Sequence, residues 1–172
     1  ESGEGPGGLN RIYASTLADN VSANLSIAID QRVQIDHTLL KYLPRRGVDC
    51  VLGGTQSLPP GTPNLQSNAS LASDTSCALF GPRDQEGVDP LLDALADNGG
   101  PTPTRALSPG SPAIDGGDTF CTGPASELEV DQRGDGHPRP VAATPGAEPR
   151  CDVGAFEVPE PDPALAAIAA AL

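Results

Sequence analysis

The sequence predicts an all-β fold of short strands stacked as parallel coils, followed by a loop-rich second half. Three observations predict it. Two segments, "YASTLADN" from Tyr13 and "QIDHTLLKY" from Gln34, echo each other through Thr16-Leu17 and Thr38-Leu39, at an offset of about 22 residues that lies in the range of repeat folds. Between them, apolar residues alternate with period two, as Leu25, Ile27 and Ile29 in "LSIAID" and as Val33 and Ile35 in "VQID", the pattern of strands with one buried face. No Asn-Gly or Asp-Gly pair separates these strands, so the polar turns "ADN" and "DQ" suit a chain bending sideways into the next sheet better than the hairpins of a β-sandwich.

Composition narrows the class. The 172 residues are enough for one domain of ordinary size or for the end piece of a longer stack. The chain has no Met and begins at Glu1, which predicts a processed portion of a larger product, and its amino end carries no signal-peptide pattern. With 20 glycines and 19 prolines, it falls just below the roughly 25–30% at which unpatterned Pro and Gly indicate disorder. The aromatic residues are Tyr13, Tyr42, Phe80, Phe120 and Phe156, so the core must be aliphatic, which suits thin layers. A net charge of −13 with Lys41 as the sole lysine argues against nucleic acid, whose phosphates require clustered cations.

Cys50, Cys77, Cys121 and Cys151 show no C-x-x-C spacing, which argues against zinc and dithiol redox work. Of the three possible pairings, neighbourhood in sequence favours Cys50–Cys77 and Cys121–Cys151. Each would close a loop of about 30 residues, contribute roughly 3–4 kcal/mol by chain entropy, and imply an oxidising compartment outside the cytoplasm.

In chain order, residues 1–8 read as a loop, residues 9–80 as β coils that become extended and irregular after Cys50, and "VDPLLDALA" from Val88 to Ala96 as one or two helical turns. Asp89 would be the N-cap there and Pro90 the first helical residue, with "DNGG" at Asp97–Gly100 as the stop. The tail opens with three prolines in "VPEPDP", and the nine apolar residues from Ala164 to Leu172 are far short of the roughly 20 that span a bilayer.

The ordered motifs "DPLLDALADNGGPTPTRALSPGSPAIDGGD", "DQRG", "RP" and "CDVGAFE" resemble the carboxy-terminal region of bacterial right-handed parallel β-helix repeat proteins, the choice-of-anchor Q domain type related to polymorphic-outer-membrane-protein-like repeats. The motifs cover about residues 50–157, and residues 9–45 resemble the preceding coils more weakly. The resemblance implies terminal coils of a right-handed parallel β-helix over residues 9–80, a disulfide-stapled cap over 81–157, and an exported, extracellular or cell-surface location. "PEP" at Pro159–Pro161 with the apolar residues after it is similar to the start of a PEP-CTERM sorting tail, truncated here at 158–172. Membrane anchoring would then come only through a missing tail.

A β-helix end exposes unpaired backbone and an open apolar interior, so a cap has physical work to do. Leu91, Leu95, Leu107 and Ile114 are expected to lie over the last coil, with Pro101, Pro103, Pro109 and Pro112 limiting the entropy lost on ordering. Arg133 is expected to fork onto Asp115 or Asp152, and Phe156 to act as a plug. The structural residues are therefore Cys50, Cys77, Cys121, Cys151, Asp115, Arg133, Asp152 and Phe156.

No catalytic set stands out. A polysaccharide-lyase reading would use Asp30, Asp36, His37 and Lys41, but strand alternation sends Asp36 and His37 to opposite faces, and a solvated surface accounts for them. His37 and His137 accompany no G-x-S-x-G elbow. Asp115, Asp118, Asp131 and Asp135 are candidates for a structural Ca²⁺ without EF-hand spacing, and no other cofactor is expected. The "RGD" at Arg133–Asp135 and the sequons at Asn20, Asn24 and Asn68 are read as short chance patterns. The expected function is non-catalytic, structural or adhesive, with extracellular glycans, a neighbouring cell surface and upstream coils of the same protein as partners. The alternative is the C-terminal part of a carbohydrate-active, lyase-like β-helix enzyme whose active coils lie upstream.

Overall fold

The computed structural model describes residues 9–20, 22–28, 32–42, 47–53, 65–119, 121, 129–142 and 147–159. Ile29, Asp30, Phe120, the loop at 1–8 and the tail from residue 160 lie outside them. The described residues form an all-β protein with no helix.

Three of its sheets are purely parallel. The first joins β1 (Leu9–Tyr13), β4 (Arg32–Asp36) and β7 (Leu65–Asn68). The second joins β2 (Thr16–Ala18), β5 (Leu39–Lys41), β8 (Leu71–Ala72) and β9 (Gln85–Glu86), and the third joins β3 (Ala23–Ile27) to β6 (Val48–Leu52). Inward residues from all three, Val33, Ile35 and Leu65, then Leu40 and Ala72, then Leu25, Ile27 and Cys50, make one aliphatic core with Cys77. The alternation of "LSI" and "VQI" therefore has its expected consequence: Ile27 and Ile35 are buried while Ser26 is exposed.

The corner between the first two sheets repeats with the same local chemistry. Ala14, His37, Ala69 and Arg83 all take left-handed φ, at 41°, 48°, 45° and 65°. They are equivalent by register, because Thr16 pairs with Leu39, Leu39 with Leu71, and Leu71 with Gln85. After the left-handed residue comes a hydroxyl that turns back on the carbonyl two residues earlier: Ser15 Oγ to Tyr13 O at 2.7 Å, Thr38 Oγ1 to Asp36 O at 3.1 Å, Ser70 Oγ to Asn68 O at 3.1 Å. These local bonds offset the cost of the left-handed turn, roughly 1–2 kcal/mol for a non-glycine residue. The ladder runs on through the corner, with Ala14 N–H to Asp36 O, His37 N–H to Asn68 O and Ala69 N–H to Pro82 O. The equivalence corrects the register read from sequence, for Thr16 aligns with Leu39 and not with Thr38.

At the far end of the stack, side chains replace a further strand. Asp84 accepts the Ser70 N–H at 3.0 Å and the Ser67 hydroxyl at 2.6 Å, and Asp74 accepts the Asp49 N–H at 3.2 Å. Ser76 Oγ accepts the Cys50 N–H at 2.8 Å beside the Cys50–Cys77 disulfide. Asp49, fully buried, is held by Asn24, Ser73 and the Asp74 N–H.

The helical turns expected over Val88–Ala96 are not formed. Asp89 Oδ1 accepts the Leu91 N–H at 3.0 Å, but Leu91 is left-handed at φ 49° and cannot begin a helix. The chain continues instead as β10 (Leu92–Ala96), antiparallel to β11 (Thr104–Leu107) with a bulge between Leu92 and Leu95. Asn98 Nδ2 donates to Thr104 O at 2.9 Å across the turn.

The loop-rich half packs on the flank of the second sheet. Leu17, Leu40 and Ala72 face the core, so the alternating column Thr16, Leu39, Leu71 and Gln85 points outward. Each member meets the second half. Thr16 Oγ1 accepts the Ala155 N–H at 3.0 Å, Leu39 and Leu71 pack with Leu107, Ala113 and Val153, and Gln85 Nε2 donates to Pro112 O at 3.1 Å. Burying Leu39 and Leu71 is worth about 1.5–3 kcal/mol each. Leu107 and Ile114 belong to this layer, whereas Leu91 and Leu95 do not: Leu91, in the turn before β10, is 40% exposed, and Leu95 is 62% exposed on a strand whose first residue, Leu92, alone packs on the layer.

Candidate functional site at the joint of sheet and loop layer

The charged residues of "DQRG", "RP" and "CDVGAFE" converge in one buried cluster. A turn closed by Gly134 N–H to Asp131 O at 3.0 Å folds Arg133 back onto Asp131. Arg133 Nε lies 2.9 Å and Nη2 2.6 Å from Asp131 Oδ2, and the Arg133 N–H donates to Oδ1 at 2.7 Å. Nη2 also donates to Glu157 O at 2.5 Å, and the guanidinium stacks 3.8 Å from the centre of the Phe156 ring. Arg133 thus brackets two loops, but its carboxylate is Asp131 and not Asp115 or Asp152: the turn sets Asp131 against the guanidinium, while both oxygens of Asp152 accept the main-chain N–H groups of Asp115 and Val158. Burial opposes ionisation of Asp131, but the Arg133 side chain, the Glu157 and Arg133 N–H groups and the adjacent positive charge outweigh it and lower its pKa.

Asp152 and Glu157 organise main chain. Asp152 Oδ1 accepts the Asp115 N–H at 2.8 Å and Oδ2 the Val158 N–H at 2.7 Å. Glu157 Oε1 accepts the Val141 N–H and Oε2 the Asp152 N–H, both at 3.0 Å. Arg139 Nε approaches Glu157 Oε2 at 3.1 Å out of line for a hydrogen bond, while its Nη2 donates to Gly154 O at 2.7 Å. Burial raises the Asp152 pKa to about 6, against the N–H groups of Val158 and Asp115. Burial, with the Asp152 charge beside it, raises Glu157 to about 7 despite Arg139 and two backbone donors.

His37 connects this layer to the parallel sheets. Its ring is buried, with Nε2 accepting the Asp118 N–H at 3.2 Å and lying 3.3 Å from Asp118 Oδ1. Its carbonyl accepts the Gly154 N–H at 2.8 Å. Burial lowers the His37 pKa against the pull of Asp118, which favours a neutral ring with Nε2 as acceptor. Gly117 is required here, since a Cβ would sit 2.6 Å from both the Cys151 carbonyl oxygen and His37 Cδ2. The Gly117 and Asp115 carbonyls are tied down by Arg150.

The remaining expected residues are placed as follows. Cys50–Cys77 and Cys121–Cys151 are disulfides with Cα separations of 4.8 and 5.4 Å, a pairing consistent with an oxidising environment. The solvated surface expected for Asp36 and His37 is not found, since both are buried where the loop layer and the corner cover them, with Asp36 bonded to Gln34 Nε2 at 2.9 Å. Lys41 pairs with Asp89 at 2.7 Å. Asp131 and Asp135 are separated by the Arg133 turn, and among the described residues the one cluster of possible ligand atoms is His37, Asp118 and Cys151, so the four aspartates do not gather around one point. The arginine of "RGD" is buried in its pair, and His137 is half-buried. Sequence reasoning missed Arg139, Arg150, Glu157 and Asp49. Arg139 and Glu157 stand in the "RP" and "CDVGAFE" motifs without a role assigned to them there, and Arg150 and Asp49 are single charges beside a cysteine. A cleft of about 420 Å³ lies between Ala14–Leu17 and Val130–Gln132, Arg139 and Ala155. Among the described residues, no helix is long and apolar enough to cross a membrane.

No family model, curated protein or solved structure matches this chain.

Proposed function

We propose that the parallel sheets are the terminal coils of a right-handed β-helix of the choice-of-anchor Q type, with the loop-rich half as its C-terminal cap and residues 158–172 as the start of a sorting tail. The protein in this reading is non-catalytic, extracellular or attached to a cell surface, and structural or adhesive, presenting an aliphatic-cored stack to glycans or neighbouring cells. The observation that carries it is the corner column Ala14, His37, Ala69 and Arg83, since recurrence of one left-handed turn in register is what coil upon coil would require. Right-handedness follows from the strong preference of parallel crossovers. The buried charges favour a structural role because Arg133 pairs with Asp131 and the Glu157 carbonyl, and Asp152 and Glu157 accept main-chain N–H groups.

The test is electrophoresis of the protein through gels containing uronate and neutral polysaccharides, with the same polymers assayed for cleavage. Retardation without release of product is expected. Release of unsaturated uronates by this chain would replace the structural reading with the lyase one.

A further inference from the structure

The Cys121–Cys151 disulfide lies against two groups of a different chemical kind. The Cys151 Sγ, His37 Nε2 and a carboxylate oxygen of Asp118 all lie within 4.8 Å of one another. Cys151 and His37 are 0% and 1% exposed, and Asp118 is half-buried. Three different elements bring them together: the corner residue before β5, the turn after Gly117, and the start of "CDVGAFE". We propose that this joint is a latent site for a thiophilic divalent cation of the Zn²⁺ class, closed by the disulfide and opened by its reduction.

The chemistry of the donor set carries the proposal. A disulfide sulfur is a poor ligand, whereas a thiolate, a neutral imidazole and a carboxylate are the ordinary zinc donors. Tetrahedral bonds of about 2.0–2.3 Å place ligand atoms roughly 3.3–3.8 Å apart, so the longest edge here closes by about 1 Å. His37 faces the site with Nε2, the atom that now accepts the Asp118 N–H, and its burial keeps the ring neutral as a ligand must be. Cys121, released with its Cα 5.4 Å from that of Cys151, supplies the fourth ligand. A small dithiol delivers the two electrons and two protons that convert the disulfide to two thiols, and itself closes to a cyclic disulfide. Metal binding then displaces the two thiol protons to solvent.

The experiment uses the full chain, oxidised and dithiol-reduced, with Zn²⁺ titrated calorimetrically and Co²⁺ followed by its thiolate charge-transfer and tetrahedral d–d absorption. One metal per reduced chain and none per oxidised chain are expected. Cys121→Ser frees the Cys151 thiol and is expected to bind Co²⁺ without reductant, with water as fourth ligand, whereas Cys151→Ser, left with Cys121 as the one thiolate and without the sulfur that lies nearest His37 and Asp118, shows weaker thiolate–cobalt absorption. Asp118→Asn in the reduced protein weakens binding by more than about tenfold. Zn²⁺ should also raise the melting temperature of the reduced protein, a readout that holds if a variant folds poorly. Equal binding by oxidised and reduced wild type, no binding by the reduced form, or equal thiolate absorption in both cysteine variants would overturn the proposal.

Discussion

Arg133 shows what a single side chain does in this molecule. Its guanidinium answers Asp131, a carbonyl and an aromatic face at once, and its removal would leave the Asp131 carboxylate buried without its cation. Losing one partner of a buried pair costs about 3–5 kcal/mol, so Arg133→Ala is expected to lower the melting temperature by roughly 10 °C, measured by circular dichroism. Lysine should rescue only part of the loss, because it cannot fork or stack; an unchanged melting temperature in the alanine variant would remove Arg133 as the bracket. The sequence announced an arginine bracket but misnamed its partner, since Asp131 is two residues away, where local pairs are rarely sought.

Asp152 and Glu157 make stability depend on pH. Their folded pKa values, about 6 and about 7, lie above the ordinary 3.8 and 4.5, so the folded state binds protons more tightly than the unfolded one. Stability from these groups is therefore greatest below the ordinary values and falls as pH rises to about 7. His37 opposes this, because its lowered pKa removes stability as pH falls below the ordinary 6.5. With two carboxylates against one imidazole, the melting temperature is expected to be higher at pH 5.5 than at pH 7.5, and Asp152→Asn should flatten the difference. A profile that rises steadily from pH 5.5 to 7.5 would mean that His37 governs it.

At the scale of elements, stability depends on how closely the second half can approach the second sheet. Gly154 has φ 113°, and a Cβ there would lie 2.7 Å from Thr16 Oγ1 and 3.3 Å from Leu39 Cβ. Gly154→Ala would strain the backbone, push against β5 and disturb the Ala155-to-Thr16 bond, a loss of about 1–3 kcal/mol. The expected readout is faster proteolytic cleavage within 101–119 and a lower melting temperature, with wild-type rates counting against close docking. Period-two alternation made β3 and β4 legible in the sequence, as nearest neighbours fixed the pairing of the four cysteines. The third corner, "NASLAS" at Asn68–Ser73, went unread because the step from Leu39 to Leu71 is longer than that from Thr16 to Leu39, so no constant period exists to detect. The strand β10 was misread because "LLDALA" carries apolar spacing compatible with either period, and only the left-handed Leu91 decides between them.

For the whole molecule, the two ends of the stack differ. The end at β7, β6 and β9 is closed by Asp84, Asp74, Ser76 and the Cys50–Cys77 disulfide. At the other end, β1, β2 and β3 are the edge strands of all three parallel sheets, and Ile12 and Leu17 beneath them are only half-buried. Among the described residues, no strand covers those edges, and aligned open edges are templates for further pairing. Two copies meeting there about a two-fold axis would pair edge strands antiparallel and bury Ile12 and Leu17 of both, an isologous and closed contact. The chain is therefore expected to self-associate in sedimentation experiments over the micromolar range. Leu17→Lys, which places a charge at the rim of the interior, should shift it to monomer. A wild-type protein that stays monomeric throughout would show that the edge is protected in solution, and the self-association prediction would fail.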